Sequence, residues 1–283
     1  MNIKGSTNIV GLIGHPVEHS FSPPMHNAAF NELNMDYAYV AFDVEPQNLK
    51  SAIDGAKSLG IKGLNVTIPH KIEVMKYLDG IDEVAALIGA VNTIDFKDMK
   101  GYNTDGIGAV RAIEEVTSIK DKNVVIAGAG GASRAISFYI AKYGASELTI
   151  LNRNVEKAQK LAGDVADSGL IGDVKADSIS EIASYLKDAD ILINTTPVGM
   201  HPNVNDEPIA SADDMHGNLV VFDAVYNPNE TVLLKETIKA GAKPVYGIKM
   251  LLYQGAESFR IWTDVDAPVD AMEDALRKTI DLK

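Results

Sequence analysis

The sequence predicts an α/β protein organised as two domains. Two observations carry the class: short β-branched runs alternate with helix-like segments along the whole chain, and one such run ends in a glycine loop that opens a helix. A third carries the domain count, since 283 residues exceed one ordinary domain of roughly 100–200 residues. With 46% apolar residues the chain can bury a core, and no run approaches the roughly 18 unbroken apolar residues of a membrane helix. The start, MNIKGSTNIVGLIG, passes straight into a strand-like run without the pattern of a secretory leader. Cysteine is absent, which excludes disulfides, thiolate metal sites and cysteine nucleophiles and fits a cytoplasmic protein. The net charge of −13 predicts no nucleic-acid or membrane partner, because phosphate surfaces are met by concentrated basic faces.

NIVGLIG, YAYVAFDV and KGLNVTI supply the first strands, each rich in β-branched or aromatic residues. Between the first two, Pro23 and Pro24 precede a helix expected from about Met25. After the turn-rich KGYNTDG the chain enters the helix-like GIGAVRAIEEV, and a fresh strand follows at Asn123–Ala127; the domain boundary is placed around Asn103–Arg111. ELTILN, ADILINTTP and LVVFDAVY continue the strand series. Near Gly247 the strand-like PVYG gives way to a helical pattern, KMLLYQGAESFRIW, then to another at Val269–Leu282, and these last helices fit either domain. Such strand–helix alternation predicts parallel sheets.

In NVVIAGAGGASRAISF a buried-type strand meets Gly128, Gly130 and Gly131 and then a helix. Glycines permit the turn and let main-chain N–H groups approach a pyrophosphate at the positive helix end. The third small position of the dinucleotide pattern is Ser133, and the expected architecture is a Rossmann-like, doubly wound sheet. An NAD site places a carboxylate near the end of the next strand; here stand Asn152 and Arg153, with Lys157 a helical turn later. A guanidinium binds a 2′-phosphate that a carboxylate would repel, so NADP is the expected cofactor.

Ligands of open α/β sheets bind beyond the carboxyl ends of strands. The first domain puts polar groups at such places: His19-Ser20-Phe21-Ser22, Asn65 and Thr67 with Lys71, Asn92-Thr93, and Asn103-Thr104-Asp105. Each alone is explained by caps and turns; together they suit a small polyhydroxylated acid. Lys71 and Asp105 are the oppositely charged pair, either an acid–base couple or a salt bridge, and spacing alone does not choose. His15 and His19 are separated by Pro16, against a metal-binding helix, and no metal site is expected.

Taken in order, HSFSPPMHN, GLNVTIPHK, GAVNT, GYNTDGIG, GAGGASRA, NRN, NTTPVGM, VYNP and MLLYQGAESFRIW resemble the shikimate dehydrogenase family nearly end to end. The resemblance implies a substrate domain of residues 1–105 plus 248–283 and an NADP-binding Rossmann domain of residues 106–247, separated by a cleft. It implies reversible NADPH-dependent reduction of 3-dehydroshikimate to shikimate in aromatic amino-acid (chorismate) biosynthesis. Residue by residue, it assigns Ser20 and Ser22 to the substrate carboxylate, and Asn65, Thr67, Asn92, Asp105 and Gln254 to the ring and hydroxyls, with Tyr226 nearby. Lys71 becomes the acid–base residue and Asp105 its partner. Gly128, Ala129, Gly130, Gly131 and Ala132 take the pyrophosphate, Asn152, Arg153 and Lys157 the adenosine end, and Thr195, Ala224 and Gly247 the nicotinamide half. The chain departs from the family pattern at Asn154, commonly Thr, and at Lys249, commonly Gly. Two other functions are carried forward: a quinate/shikimate dehydrogenase using NAD or NADP, and a non-catalytic NADP-sensing regulatory protein. The substrate partner is a small molecule; a monomer and a homodimer both fit.

Overall fold

A computed structural model describes residues 3–280 and divides the chain into two compact units. One runs to Thr104 and resumes at Leu252; the other is Asp105–Leu251.

The first unit contains β1 (Asn8–Gly14), α1 (Ser22–Glu32), β2 (Tyr37–Asp43), α2 (Leu49–Ser58), β3 (Gly63–Val66), β4 (Gly80–Ile81), α3 (Glu83–Ile88), β5 (Thr93–Asp95) and β6 (Lys100–Tyr102). Its sheet has the order β2-β1-β3-β5-β6-β4. β1 pairs in parallel with β2 and β3, but β5 is antiparallel to both β3 and β6. The wholly parallel expectation therefore fails in this sheet. The four residues after Asp95 close a tight hairpin, with Met99 at φ 48°, and a hairpin can join only antiparallel strands. Helix α1 begins at Ser22 rather than near Met25, because Pro23 and Pro24 occupy its first turn, where the missing N–H groups cost nothing. In α2 the buried Leu49, Ile53 and Ala56 recur at helical spacing and face the core formed by Ile13, Leu64, Val66 and Ile94. Each fully buried Leu or Ile contributes roughly 1.5–3 kcal/mol.

The second unit carries α4 (Asp105–Glu114), β7 (Asn123–Ala127), α5 (Gly131–Lys142), β8 (Glu147–Asn152), α6 (Val155–Asp167), β9 (Val174–Ser178), α7 (Ile182–Tyr185), β10 (Ile191–Asn194), β11 (Val220–Asp223), α8 (Val232–Lys239) and β12 (Lys243–Tyr246). Its sheet is parallel throughout, in the order β12-β11-β10-β7-β8-β9. β8 and β9 extend from one side of β7 and β10 to β12 from the other, so strand order reverses between β7 and β10, where doubly wound sheets hold ligands. β10 and β11 are buried at every position, as a strand covered on both faces must be. The polar edge strand β9, VKADS, is absent from the sequence-based strand series.

Helix α9 (Gly247–Thr263) contains the second unit boundary, and α10 (Val269–Ile280) follows it. The remainder of the helix expected to Leu282 lies outside the described residues. The far part of α9 is locked to the first sheet by Trp262, whose Nε1 donates to the Ile94 carbonyl at 3.0 Å. A Cβ on Gly63 would meet that indole nitrogen at 2.0 Å, so glycine is required there by the fold.

Candidate active site

In the first unit, β3 carries its side chains to a polar end. Thr67 extends the pairing by donating its N–H to Ile13 O at 2.9 Å, and its methyl packs so tightly on Gly14 that a Cβ there would meet it at 2.3 Å. The chain then turns through Pro69. The turn is held by His70 N–H to Thr67 O at 2.9 Å and by the buried His70 Nε2 against Val44 O at 2.7 Å. Val91 N–H donates to Lys71 O at 2.8 Å. The half-buried Lys71 thus springs from a main chain fixed on both sides.

Asn92-Thr93 reaches the same end by an unexpected route. Thr93 lies opposite Asn65 and Tyr102 in the ladder, so the start of antiparallel β5 sits beside the carboxyl ends of β3 and β6. Asn65, Asn92, Thr93 and Thr104 are all buried and joined by hydrogen bonds. Asn65 Nδ2 donates to Thr93 Oγ1 at 3.0 Å and to Ser258 Oγ at 2.9 Å, and Tyr39 donates its hydroxyl to Asn65 Oδ1 at 2.8 Å. Asn92 Oδ1 accepts from Thr104 N–H at 2.7 Å. Ser258 Oγ also donates to the main-chain carbonyl of Gln254, one turn earlier in α9, at 3.0 Å.

Ser20 and Ser22 meet at the start of α1, where Ser20 Oγ accepts from Ser22 N–H at 3.2 Å. His26, one turn into the helix, is fully buried and stacks on Tyr39 with ring centroids 4.4 Å apart; burial depresses its pKa to about 3. A groove of about 590 Å³ lies at the opposite end of β3 among Lys62, Asp95, Arg260 and Trp262, and its lining includes no residue assigned to substrate. Among the described residues no group of three or more His, Asp and Glu is placed to hold a metal.

In the second unit the glycine loop closes β7. Gly128 has φ 112°, and a Cβ on it would meet Thr195 Oγ1 at 2.3 Å. Thr195 is itself pinned, donating Oγ1 to Ala127 O at 2.7 Å. Ser133, the substitute for the third small residue, is buried and donates its hydroxyl to Gly128 O at 2.7 Å, so it ties the helix to the turn. Gly130 and Gly131 differ: they are exposed, have no positive φ, and a Cβ on either would meet nothing within 4 Å. Nothing in the fold demands glycine at these two places. They bare the first N–H groups of α5, with Ala129 and Ala132 beside them, as a pyrophosphate cradle requires.

At the end of β8, Asn152 donates Nδ2 to Asn154 O at 2.9 Å, and Asn154 caps α6 by accepting from Lys157 N–H at 2.9 Å. The departure from Thr therefore keeps the capping role. Arg153 and Lys157 are exposed, and Arg153 makes no ion pair among the described residues. Ala224 and Gly247 meet at the ends of β11 and β12, where a Cβ on Gly247 would lie 2.7 Å from Asp223 O and 2.8 Å from the Ala224 carbonyl carbon. Sequence reasoning missed Asp223, which is buried at the end of β11. It accepts from Thr231 Oγ1 at 2.6 Å, Asn194 Nδ2 at 2.9 Å and Val225 N–H at 3.1 Å. Burial raises its pKa and the three hydrogen bonds oppose that rise. A carboxylate inside the apolar run LVVFDAVY was the available signal. Lys249 lies within ion-pair range of Glu115 at 3.5 Å. Tyr226, also in this unit, is 37% exposed, and Asp105 is the half-buried first residue of α4.

Family models match along the chain: the shikimate dehydrogenase substrate binding domain over residues 12–94, shikimate / quinate 5-dehydrogenase over 111–231, and the shikimate 5'-dehydrogenase C-terminal domain over 247–277. An NADP(+) shikimate dehydrogenase of Methanobrevibacter smithii is 72% identical over 280 residues, covering 99% of this chain and all of the relative. A solved shikimate dehydrogenase in complex with NADP+ is 53% identical with a TM-score of 0.92, over 99% of this chain and 98% of its own. Another, from Listeria monocytogenes in complex with shikimate and NAD, is 36% identical with a TM-score of 0.93 over 98% of each chain. Similarity of this extent, across both units and both sheets, settles the family: the chain belongs to the shikimate dehydrogenases.

Proposed function

We propose that the protein catalyses the reversible NADPH-dependent reduction of 3-dehydroshikimate to shikimate, an oxidoreductase step of chorismate biosynthesis. The observation that carries this reading within the fold is the convergence of Asn65, Thr67, Asn92 and the Lys71 turn on one end of the first sheet. Ser20 and Ser22 bind the substrate carboxylate, and Asn65, Thr67, Asn92, Asp105 and Gln254 hold its ring and hydroxyls, with Tyr226 near the substrate. Lys71 gives the developing C3 alkoxide its proton and, in the oxidative direction, takes the proton from the hydroxyl; Asp105 is the second titratable group of the chemistry. When bound, NADPH supplies the hydride that adds to the C3 carbonyl carbon. Gly128 to Ala132 present main-chain donors to its pyrophosphate, Asn152, Arg153 and Lys157 face its adenosine end, and Thr195, Ala224 and Gly247 shape the nicotinamide end. The substrate domain is residues 1–105 with 248–283, and residues 106–247 bind NADP. A cytoplasmic enzyme without a nucleic-acid partner accords with the absent cysteines and the charge of −13.

A second reading, a quinate/shikimate dehydrogenase using either cofactor, is favoured by the Listeria relative's complex with NAD. Oxidation of shikimate and of quinate, each with NADP⁺ and NAD⁺, separates the two. Preference for shikimate with NADP⁺ supports the first; comparable rates with quinate and NAD⁺ move the protein to the second.

A further inference from the structure

The hydrogen bonds behind Asn65 have a direction that main-chain groups dictate. Asn65 Nδ2 lies 3.3 Å from Asn92 O, a carbonyl with no proton to give, so the nitrogen and not the oxygen of the amide must face that side. Ser258 Oγ lies 2.9 Å from that nitrogen, and because an amide nitrogen can only donate, the hydroxyl receives from Asn65 whichever of the Gln254 carbonyl and Thr93 Oγ1 takes its own proton. Thr93 takes the second N–H. Both Asn65 protons are thereby consumed within the protein. The amide oxygen accepts from Tyr39, which is 3% exposed and clamped in the stack with His26, and this leaves one oxygen lone pair.

Resting on the function proposed above, we propose that Tyr39 and Ser258 are positioning residues that fix Asn65 as a hydrogen-bond acceptor, reading a substrate hydroxyl that persists through the reaction. The C3 oxygen is a carbonyl in one direction and a hydroxyl in the other, and an acceptor-only group serves it in just one of those states. The C4 and C5 hydroxyls are donors in substrate and product alike. Asn92 is oriented the opposite way: its oxygen already accepts from Thr104 N–H, Thr104 Oγ1 and Thr93 Oγ1.

Steady-state oxidation of shikimate with NADP⁺ tests this in the wild type, Tyr39→Phe and Ser258→Ala, with melting temperatures recorded beside the rates. Tyr39→Phe keeps the ring stack and should raise KM for shikimate about tenfold, equivalent to about 1.4 kcal/mol, while kcat and the KM for NADP⁺ stay within about threefold. Ser258→Ala should move KM the same way by a smaller factor. Fluorine accepts weakly and cannot donate, so shikimate with fluorine at C4 or at C5 probes the polarity directly. One of these two analogues should bind the wild type at least about tenfold more weakly than shikimate. The proposal is overturned if both variants keep the wild-type KM, if KM for NADP⁺ rises in parallel, or if both fluorinated analogues bind as well as shikimate. A wild type that turns over no shikimate with either nucleotide overturns the functional reading and this one with it, whereas normal turnover with a silent Tyr39→Phe overturns this one alone.

Discussion

The two sheet ends to which we assign substrate and cofactor are built from opposite materials. At the end of the first sheet the groups are side chains, buried and bonded to one another over long sequence distances, 26 residues for Tyr39 to Asn65 and 193 for Asn65 to Ser258. At the switch point of the second sheet they are main-chain N–H groups at a helix start, made reachable by residues that lack side chains. A side-chain site is damaged by deletion and distinguishes ligands by the polarity of each group. A main-chain site is damaged by addition and recognises a charge distribution shared by many nucleotides, so its selectivity has to come from neighbouring side chains, a part we assign to Arg153.

The contrast breaks most visibly at Lys71. Lys71→Ala should lower kcat by about 10²–10⁴-fold with little change in NADP⁺ affinity measured by fluorescence titration, because the role proposed for the residue is to move a proton and not to hold the cofactor. Turnover within a few-fold of wild type would remove Lys71 from the chemistry and leave the first sheet's polar end as a binding surface only.

Glycine substitutions sharpen the other side. Gly128→Ala forces a side chain into φ 112° and onto the pinned Thr195 hydroxyl, and should cost roughly 3 kcal/mol in chemical denaturation. Gly131→Ala meets no atom and sits in a helix, so it should leave stability unchanged or slightly raised while weakening NADP⁺ binding. If both variants lose stability alike, the distinction between a glycine the fold needs and one the ligand needs does not hold.

The same difference explains what was legible in the sequence. The glycine loop could be read because its logic is local: strand, turn and helix start lie within sixteen residues, NVVIAGAGGASRAISF. Asn65, Thr67 and Lys71 could be singled out because polar residues in and just after a buried strand are conspicuous. Tyr39 and Ser258 could not, since each looks like ordinary strand or helix filling until the fold brings it to Asn65. Ser258 did carry a faint sign, standing four residues after Gln254 and so on the same helical face. The antiparallel β5 escaped because three-residue strands leave too little pattern to separate a hairpin from a loop. Asp223 was passed over as one acid in an apolar run, although it is the hub that ties the loops after β10 and β11.

Cofactor choice offers a smaller but more specific effect. Arg153→Ala should raise KM for NADP⁺ about 10–100-fold, the value of a charge-assisted hydrogen bond, and leave KM for NAD⁺ within about twofold. Equal losses for both nucleotides would show that the 2′-phosphate is read elsewhere, and the main-chain cradle would then carry more of the binding than its open geometry suggests.

The smallest effect is a pH dependence that tests how dry the side-chain site is. His26 has its pKa lowered by burial from 6.5 to about 3, so the folded protein keeps it neutral while the unfolded chain takes up a proton below pH 6.5. Its contribution to stability is present above pH 6.5 and is lost as pH falls from 6.5 toward 3. Between pH 7.5 and 5.5 the unfolding free energy of the wild type should drop by about 1.4 kcal/mol more than that of His26→Phe, which keeps an aromatic ring in the stack. Because each protein is compared with itself at two pH values, the cost of repacking the larger ring cancels. An identical drop in both would mean that His26 protonates in the folded state near its ordinary pKa, and that solvent reaches the ring stack supporting Tyr39.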